Sequence, residues 1–122
     1  MLLMKANRDA ILKPLQTVAG IVERRHTLPI LANVLIRKNA DVVSLLATDV
    51  EIQISTEAEL GGDPGPAATT VAARKLIDIL RSLPESAEVS ISLDNRKASV
   101  RAGKSRFALQ TLGADDYPTV TV

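Results

Sequence analysis

VEIQISTEAEL, residues 50–60, sets Val50, Ile52, Ile54, Thr56, Ala58 and Leu60 against Glu51, Gln53, Ser55, Glu57 and Glu59. Only an extended strand turns a period of two into two faces, so this segment reads as a β-strand with one buried and one wet side. GGDPGP, residues 61–66, follows it and concentrates residues that break helices and strands alike. In the next segment, AATTVAARKLIDILRSLP (residues 67–84), the period changes. Leu76, Ile79, Leu80 and Leu83 recur at helical spacing from about Ala73, and Pro84 marks the stop. Alternation then returns with Val89, Ile91 and Leu93 against Glu88, Ser90 and Ser92, a turn at Asp94 and Asn95, Ala98 and Val100 facing inward, a turn near Ala102 and Gly103, and a last strand over residues 105–110.

Upstream of residue 50 the same elements occur in the same order. MLLMKA is a first strand, too short before Asn7, Arg8 and Asp9 for a signal-peptide core. Asn7 caps a helix whose Ile11, Leu15, Val18 and Val22 share one side, with a kink expected at Pro14. Strands are expected over residues 33–38 and 42–48, joined by the polar link 39–41. TLPILANVLI (residues 27–36), without an ionisable side chain, lies between Arg24, Arg25 and His26 and the pair Arg37 and Lys38. Pro29 holds Leu28 extended and cannot donate to a central ladder, so the helix ends before it and the strand starts after it. The charges ahead of it form a cationic corner. The expectation is one α+β domain over residues 1–122. It consists of a duplicated strand, helix, three-strand unit (about 1–60 and 67–112), with two helices on one side of antiparallel sheets and a connector at about 113–122.

Composition narrows the functional classes. The chain has 122 residues, no cysteine and no apolar run of membrane-spanning length, which excludes a disulfide scaffold and a helical membrane span and leads us to expect a soluble cytoplasmic protein. A formal net charge of +1 confines any nucleic-acid contact to a local face. One Phe, one Tyr and no Trp leave no stacking platform for unpaired bases, while contact with duplex phosphates stays open. His26 is the sole histidine, and no phosphate-loop, dinucleotide, HExxH or paired-cysteine motif occurs. Asp115 and Asp116 beside Tyr117 and Pro118 form either a metal-binding pair or, more ordinarily, a solvated acidic turn. No catalytic residue, metal or cofactor is expected.

Projected at about 100° per residue, the first helix carries Lys13, Thr17, Gly20 and Arg24 opposite its apolar stripe, and the second carries Arg74, Asp78 and Arg81. Such faces are ordinarily solvated surface, with Asp78 pairing its arginine neighbours. Alternatively they meet duplex phosphates without reading bases. On the last strand Phe107 and Leu109 point one way and Arg106 and Ala108 the other. Phe107 is then either core or, beside Lys104 and Arg106, part of an edge that receives a partner strand. A stand-alone module docking a strand at this edge is the alternative reading.

Together TLPILANVLI, AATTVAARKLIDILRSLP and SRFALQTLGADDYP (residues 105–118) resemble the N-terminal domain of the bacterial DNA polymerase III beta subunit, the sliding-clamp family, over nearly the whole chain. The resemblance implies one third of a subunit in a two-subunit ring whose helices line a hole threaded by duplex DNA. It assigns Arg25, assisted by Arg24, to DNA, with Lys13, Arg74 and Arg81 facing the hole. It also assigns the Phe107 and Leu109 strand, with Lys75, Lys97, Lys104 and Arg106, to a subunit interface with the acidic third domain of another subunit. Polymerase and clamp loader would bind through the second and third domains, which this chain lacks.

Overall fold

The computed structural model describes residues 2–20, 33–48, 53–63, 65–94 and 96–113. The expectations that fall on Val22, on residues 24–32, on residues 50–52, on Asn95 and on residues 115–118 lie outside them. The described elements are β1 (Leu2–Asn7), α1 (Arg8–Ala19), β2 (Asn33–Asn39), β3 (Val42–Thr48), β4 (Gln53–Glu59), β5 (Ala67–Ala72), α2 (Ala73–Arg81), β6 (Glu88–Asp94), β7 (Lys97–Ala102) and β8 (Ser105–Leu112). A strand, a helix and three strands thus occur twice in succession.

The strands form one antiparallel sheet in the order β1-β6-β7-β8-β5-β2-β3-β4. Each half of the chain gives its first strand to the other half's meander, since β1 pairs with β6 and β5 with β2. This exchange ties the halves together with backbone hydrogen bonds, and both helices cover the sheet's apolar side. Ile11, Leu15 and Val18 of α1 and Leu76 and Leu80 of α2 meet Val34, Ile36, Val71, Val89, Ile91 and Val100 in one core. Each such side chain contributes about 1.5–3 kcal/mol through burial. β2 is buried at every position from Asn33 to Ile36, as its uncharged sequence requires.

Asn7 caps α1 as expected: its backbone is extended and its Oδ1 accepts from the Asp9 N–H at 3.0 Å. Arg8 ties the start of α1 to the segment just after α2 by donating to the Leu83 carbonyl at 3.0 Å while its guanidinium pairs with Asp9 at 2.8 Å. The helix continues through Pro14 to Ala19 without a break. The carbonyl that Pro14 leaves unbonded belongs to Ala10, which is exposed, so water can satisfy it.

Two contacts join the parts of the sheet. The β5–β8 seam is two residues long, Thr70 opposite Leu112 and Val71 opposite Thr111. Across it the buried Thr70 hydroxyl accepts from Asn33 Nδ2 at 3.0 Å and donates to the Leu112 carbonyl at 2.9 Å. At the other end, the segment after β4 folds onto β1. Lys5 N–H donates to the Leu60 carbonyl at 2.8 Å, Asp63 N–H to the Leu2 carbonyl at 2.9 Å, and Leu2 N–H to Asp63 Oδ2 at 2.9 Å. Lys38, only 3% exposed, donates from Nζ to the carbonyls of Ala40 and Gly61.

Gly62 has φ +93, and a Cβ there would stand 2.6 Å from the Leu3 carbonyl oxygen. Both conditions exclude a side chain. We expect Gly62→Ala to lower unfolding free energy by about 2 kcal/mol or more, read as a shift in the urea midpoint. An unchanged midpoint would show that the β1 closure contributes nothing to stability.

Candidate nucleic-acid interface and strand edge

The cationic residues of the two helices divide between two locations. Arg74, Asp78 and Arg81 of α2 line a solvent-facing groove of about 290 Å³ together with Gln16, Ala19 and Gly20 of the α1 end and with Ile77. Lys13 and Thr17 are exposed on α1, where the Thr17 hydroxyl donates to the Lys13 carbonyl at 3.0 Å. Gly20 caps the helix instead of extending its face. The groove therefore brings Arg74 and Arg81 together, while Lys13 stands outside it. Arg24 and Arg25, the principal expected DNA contacts, lie outside the described residues.

Electrostatics favour an anion beside this groove. Among the described residues the ion pairs are Lys5 with Glu88 and Arg8 with Asp9, so Asp78 does not neutralise Arg74 or Arg81 as the helical spacing had suggested. α2 also begins without a side-chain cap or an acidic residue in its first turn, where Arg74 and Lys75 stand instead. Cations at a helix N-terminus oppose the dipole, at a cost of about 0.3–1 kcal/mol each, which a phosphate alongside would offset. Arg81, in the last turn, is placed favourably. Lys75 is exposed on α2 and is not among the residues that line the groove.

The β8 strand departs from expectation in an informative way. The residues alone left its Phe107 as either core or part of an open edge, and the strand lies mid-sheet, between β7 and β5. It nevertheless retains an open edge. The seam register would bring Gln110 opposite Ala72, where β5 ends and α2 begins, so residues 105–110 run past their neighbour and pair with β7 alone. Thr111 N–H donates to the Arg96 carbonyl on the β7 side, and the Leu112 carbonyl accepts from Thr70 on the β5 side. Counting back by twos, the backbone groups of Arg106, Ala108 and Gln110 face the open edge.

Side chains along this edge are sorted by face. Leu109 is 8% exposed and belongs to the core, and Phe107 is half-buried against it. Arg106 and Lys104 are exposed. Lys97, opposite Gln110 on β7, stands one strand behind the edge. Arg101, absent from the expected set, is directly opposite Arg106, and both are exposed without an ion pair among the described residues. Like charges directly opposite across a ladder destabilise it. Its detection required the β7–β8 register, which sequence alone leaves open. No group of three His, Cys, Asp or Glu side chains among the described residues could hold a metal ion, and no described helix is long and apolar enough to cross a membrane.

Residues 2–121 match the family described as DNA polymerase III beta subunit, N-terminal domain. The chain belongs to that family. It is 50% identical over 113 residues to the beta sliding clamp of Pseudomonas putida and 45% identical over 113 residues to that of Escherichia coli K12, covering 93% of this chain and 31% of either relative. It thus spans about a third of the length of the curated relatives it matches. Among solved structures it is similar to the DNA polymerase III subunit beta of Pseudomonas aeruginosa, with TM-score 0.92 and 44% identity over 100% of this chain and 32% of that one. A second is Caulobacter crescentus pol III beta, with TM-score 0.91 and 39% identity over 99% of this chain and 32% of that one. The clamp-domain fold expected from the sequence is therefore borne out.

Burial separates the two apolar residues of the β8 edge. Leu109→Ala is expected to cost about 2–4 kcal/mol in urea unfolding, and Phe107→Ala about 1–2 kcal/mol. An equal or larger loss at Phe107 would place it fully in the core.

Proposed function

We propose that this chain is the N-terminal domain of a replicative DNA sliding clamp, a non-enzymatic processivity factor that encircles duplex DNA when the ring is complete. The observation carrying the proposal is the family match over residues 2–121, joined to a fold in which helices carrying uncompensated cations cover one side of a sheet. In this reading residues 1–122 are one domain, and about 113–122 lead to the next. Arg25 and Arg24 are the chief phosphate contacts, assisted by Arg74, Arg81 and Lys13. A net charge of only +1 suits this role, because a lining that gripped phosphates strongly would impede sliding. Enclosure supplies retention, and the cations keep the duplex centred.

The open β8 edge is the subunit interface with the third domain of another clamp subunit. Its backbone groups at Arg106, Ala108 and Gln110 would continue the ladder, Phe107 and Leu109 would supply the apolar centre, and Lys75, Lys97, Arg101, Lys104 and Arg106 would meet carboxylates. Polymerase and clamp loader engage the full-length clamp through its other domains. The site of action is the cytoplasm, and neither a cofactor nor a metal ion takes part.

In the full-length clamp, Arg24→Ala combined with Arg25→Ala should weaken duplex affinity at low salt and reduce the slope of log affinity against log salt by roughly two. Fluorescence anisotropy over a salt series measures both. Unchanged affinity and slope would remove these arginines from the DNA contact. The chain alone, lacking enclosure, should bind duplex only weakly and without sequence preference.

A further inference from the structure

The groove between the helices carries a carboxylate between two guanidiniums. Arg74, Asp78 and Arg81 are exposed and follow one another along α2 at steps of four and three, which puts them on one stripe of the helix. At those spacings opposite charges ordinarily pair. Here they do not, since the ion pairs among the described residues are those of Lys5 and Arg8. The other lining residues, Gln16, Ala19, Gly20 and Ile77, are uncharged, so Asp78 is the one negative charge among the described residues that line the groove.

Stability of the helix gives no reason for a carboxylate at this position. Asp78 stands in the last turn of the nine-residue α2, where a negative charge meets the negative end of the helix dipole. Arg74 stands in the first turn, where a positive charge meets the positive end. Each of the two is therefore at the end that its sign disfavours. The Asp78 carbonyl accepts from the Ser82 N–H at 3.1 Å and so helps to close the helix, but that bond belongs to the backbone and any side chain would leave it intact.

We propose that Asp78 limits the grip of this groove on duplex DNA, acting as a built-in repulsive element between two phosphate contacts. The inference rests on the reading of the helices as the face turned to DNA. Seven residues separate Arg74 from Arg81, about 10 Å along the helix axis, and Asp78 lies between them. A phosphate that drew on both guanidiniums at once would also approach the carboxylate. Each arginine is thereby left to engage phosphates singly, with its attraction reduced by the neighbouring negative charge. At a separation of about 7 Å in water, one unit charge changes the occupancy of a phosphate position about threefold. Phosphates recur about every 3.4 Å along each strand, so shallow contacts let one phosphate replace the next without a long dwell. Arg74 and Arg81 supply attraction, and Asp78 sets its depth.

In the full-length clamp, Asp78→Asn should raise affinity for a short duplex about threefold at low salt and steepen the slope of log affinity against log salt by up to about one. Single-molecule tracking should show the loaded variant ring diffusing along duplex roughly twofold or more slowly. Asp94→Asn is the control, because Asp94 is exposed on β6 and alternates with Val89 and Ile91 of the core, so it removes an equal charge from the face opposite the helices. It should change neither affinity nor mobility. The urea midpoint of Asp78→Asn should hold or rise, as the dipole requires, and a fall would make Asp78 structural and overturn the proposal. Unchanged affinity and mobility in Asp78→Asn, or an equal gain in Asp94→Asn, would overturn it as well. Arg74→Ala combined with Arg81→Ala separates this failure from that of the reading beneath it. Duplex binding weakened by the arginine changes but indifferent to Asp78→Asn removes only the role of Asp78, whereas binding indifferent to all three residues removes the groove from DNA.

Discussion

The Thr70 hydroxyl, held between Asn33 and the Leu112 carbonyl, fixes a two-residue seam on which the layout of the sheet depends. A seam this short forms because β5 turns into α2 at Ala73, and backbone groups in a helix are no longer free to pair sideways. Had β5 continued as a strand, β8 would be covered along its length. The point at which a strand becomes a helix therefore decides how much of the neighbouring strand remains available to a partner. In the same way, the start of α1 at Arg8 limits how far β1 can cover β4.

Much of this was legible in the sequence, because period two and helical period differ sharply along the chain. The alternation of Ile54, Thr56 and Ala58 with Ser55, Glu57 and Glu59, the cap at Asn7 and the stripe of Leu76, Leu80 and Leu83 are local signals, and each reappears in the structure. Sheet order is not local. Nothing in the alternation of residues 105–110 says that β8 will sit beside β5, since partner choice depends on loop closure and on which faces the helices cover. The same limit hid Arg101, whose significance comes from standing opposite Arg106 on another strand. Pro14 stands inside α1 without ending it. The sequence counts its missing hydrogen bond, but only burial tells that the orphaned carbonyl of Ala10 is wet.

Near-neutral net charge conceals a strong local separation. Carboxylates at Glu57 and Glu59 lie on β4, cations at Arg74 and Arg81 line the groove between the helices, and Arg101, Lys104 and Arg106 gather at the β8 edge. Unpaired charges at these places do little for the stability of the isolated fold, because exposed ion pairs contribute at most about 1 kcal/mol and like-charge neighbours cost a similar amount. They are better understood as setting which surfaces can approach one another.

Duplication gives this separation its consequence. Two copies of one strand-helix-meander unit present equivalent open edges, and equivalent edges of like composition would pair indiscriminately with themselves and with each other. Opposite charge on the two edges, with Glu57 and Glu59 on β4 and Arg101, Lys104 and Arg106 at β8, opposes such self-pairing, because like charges would then stand opposite one another.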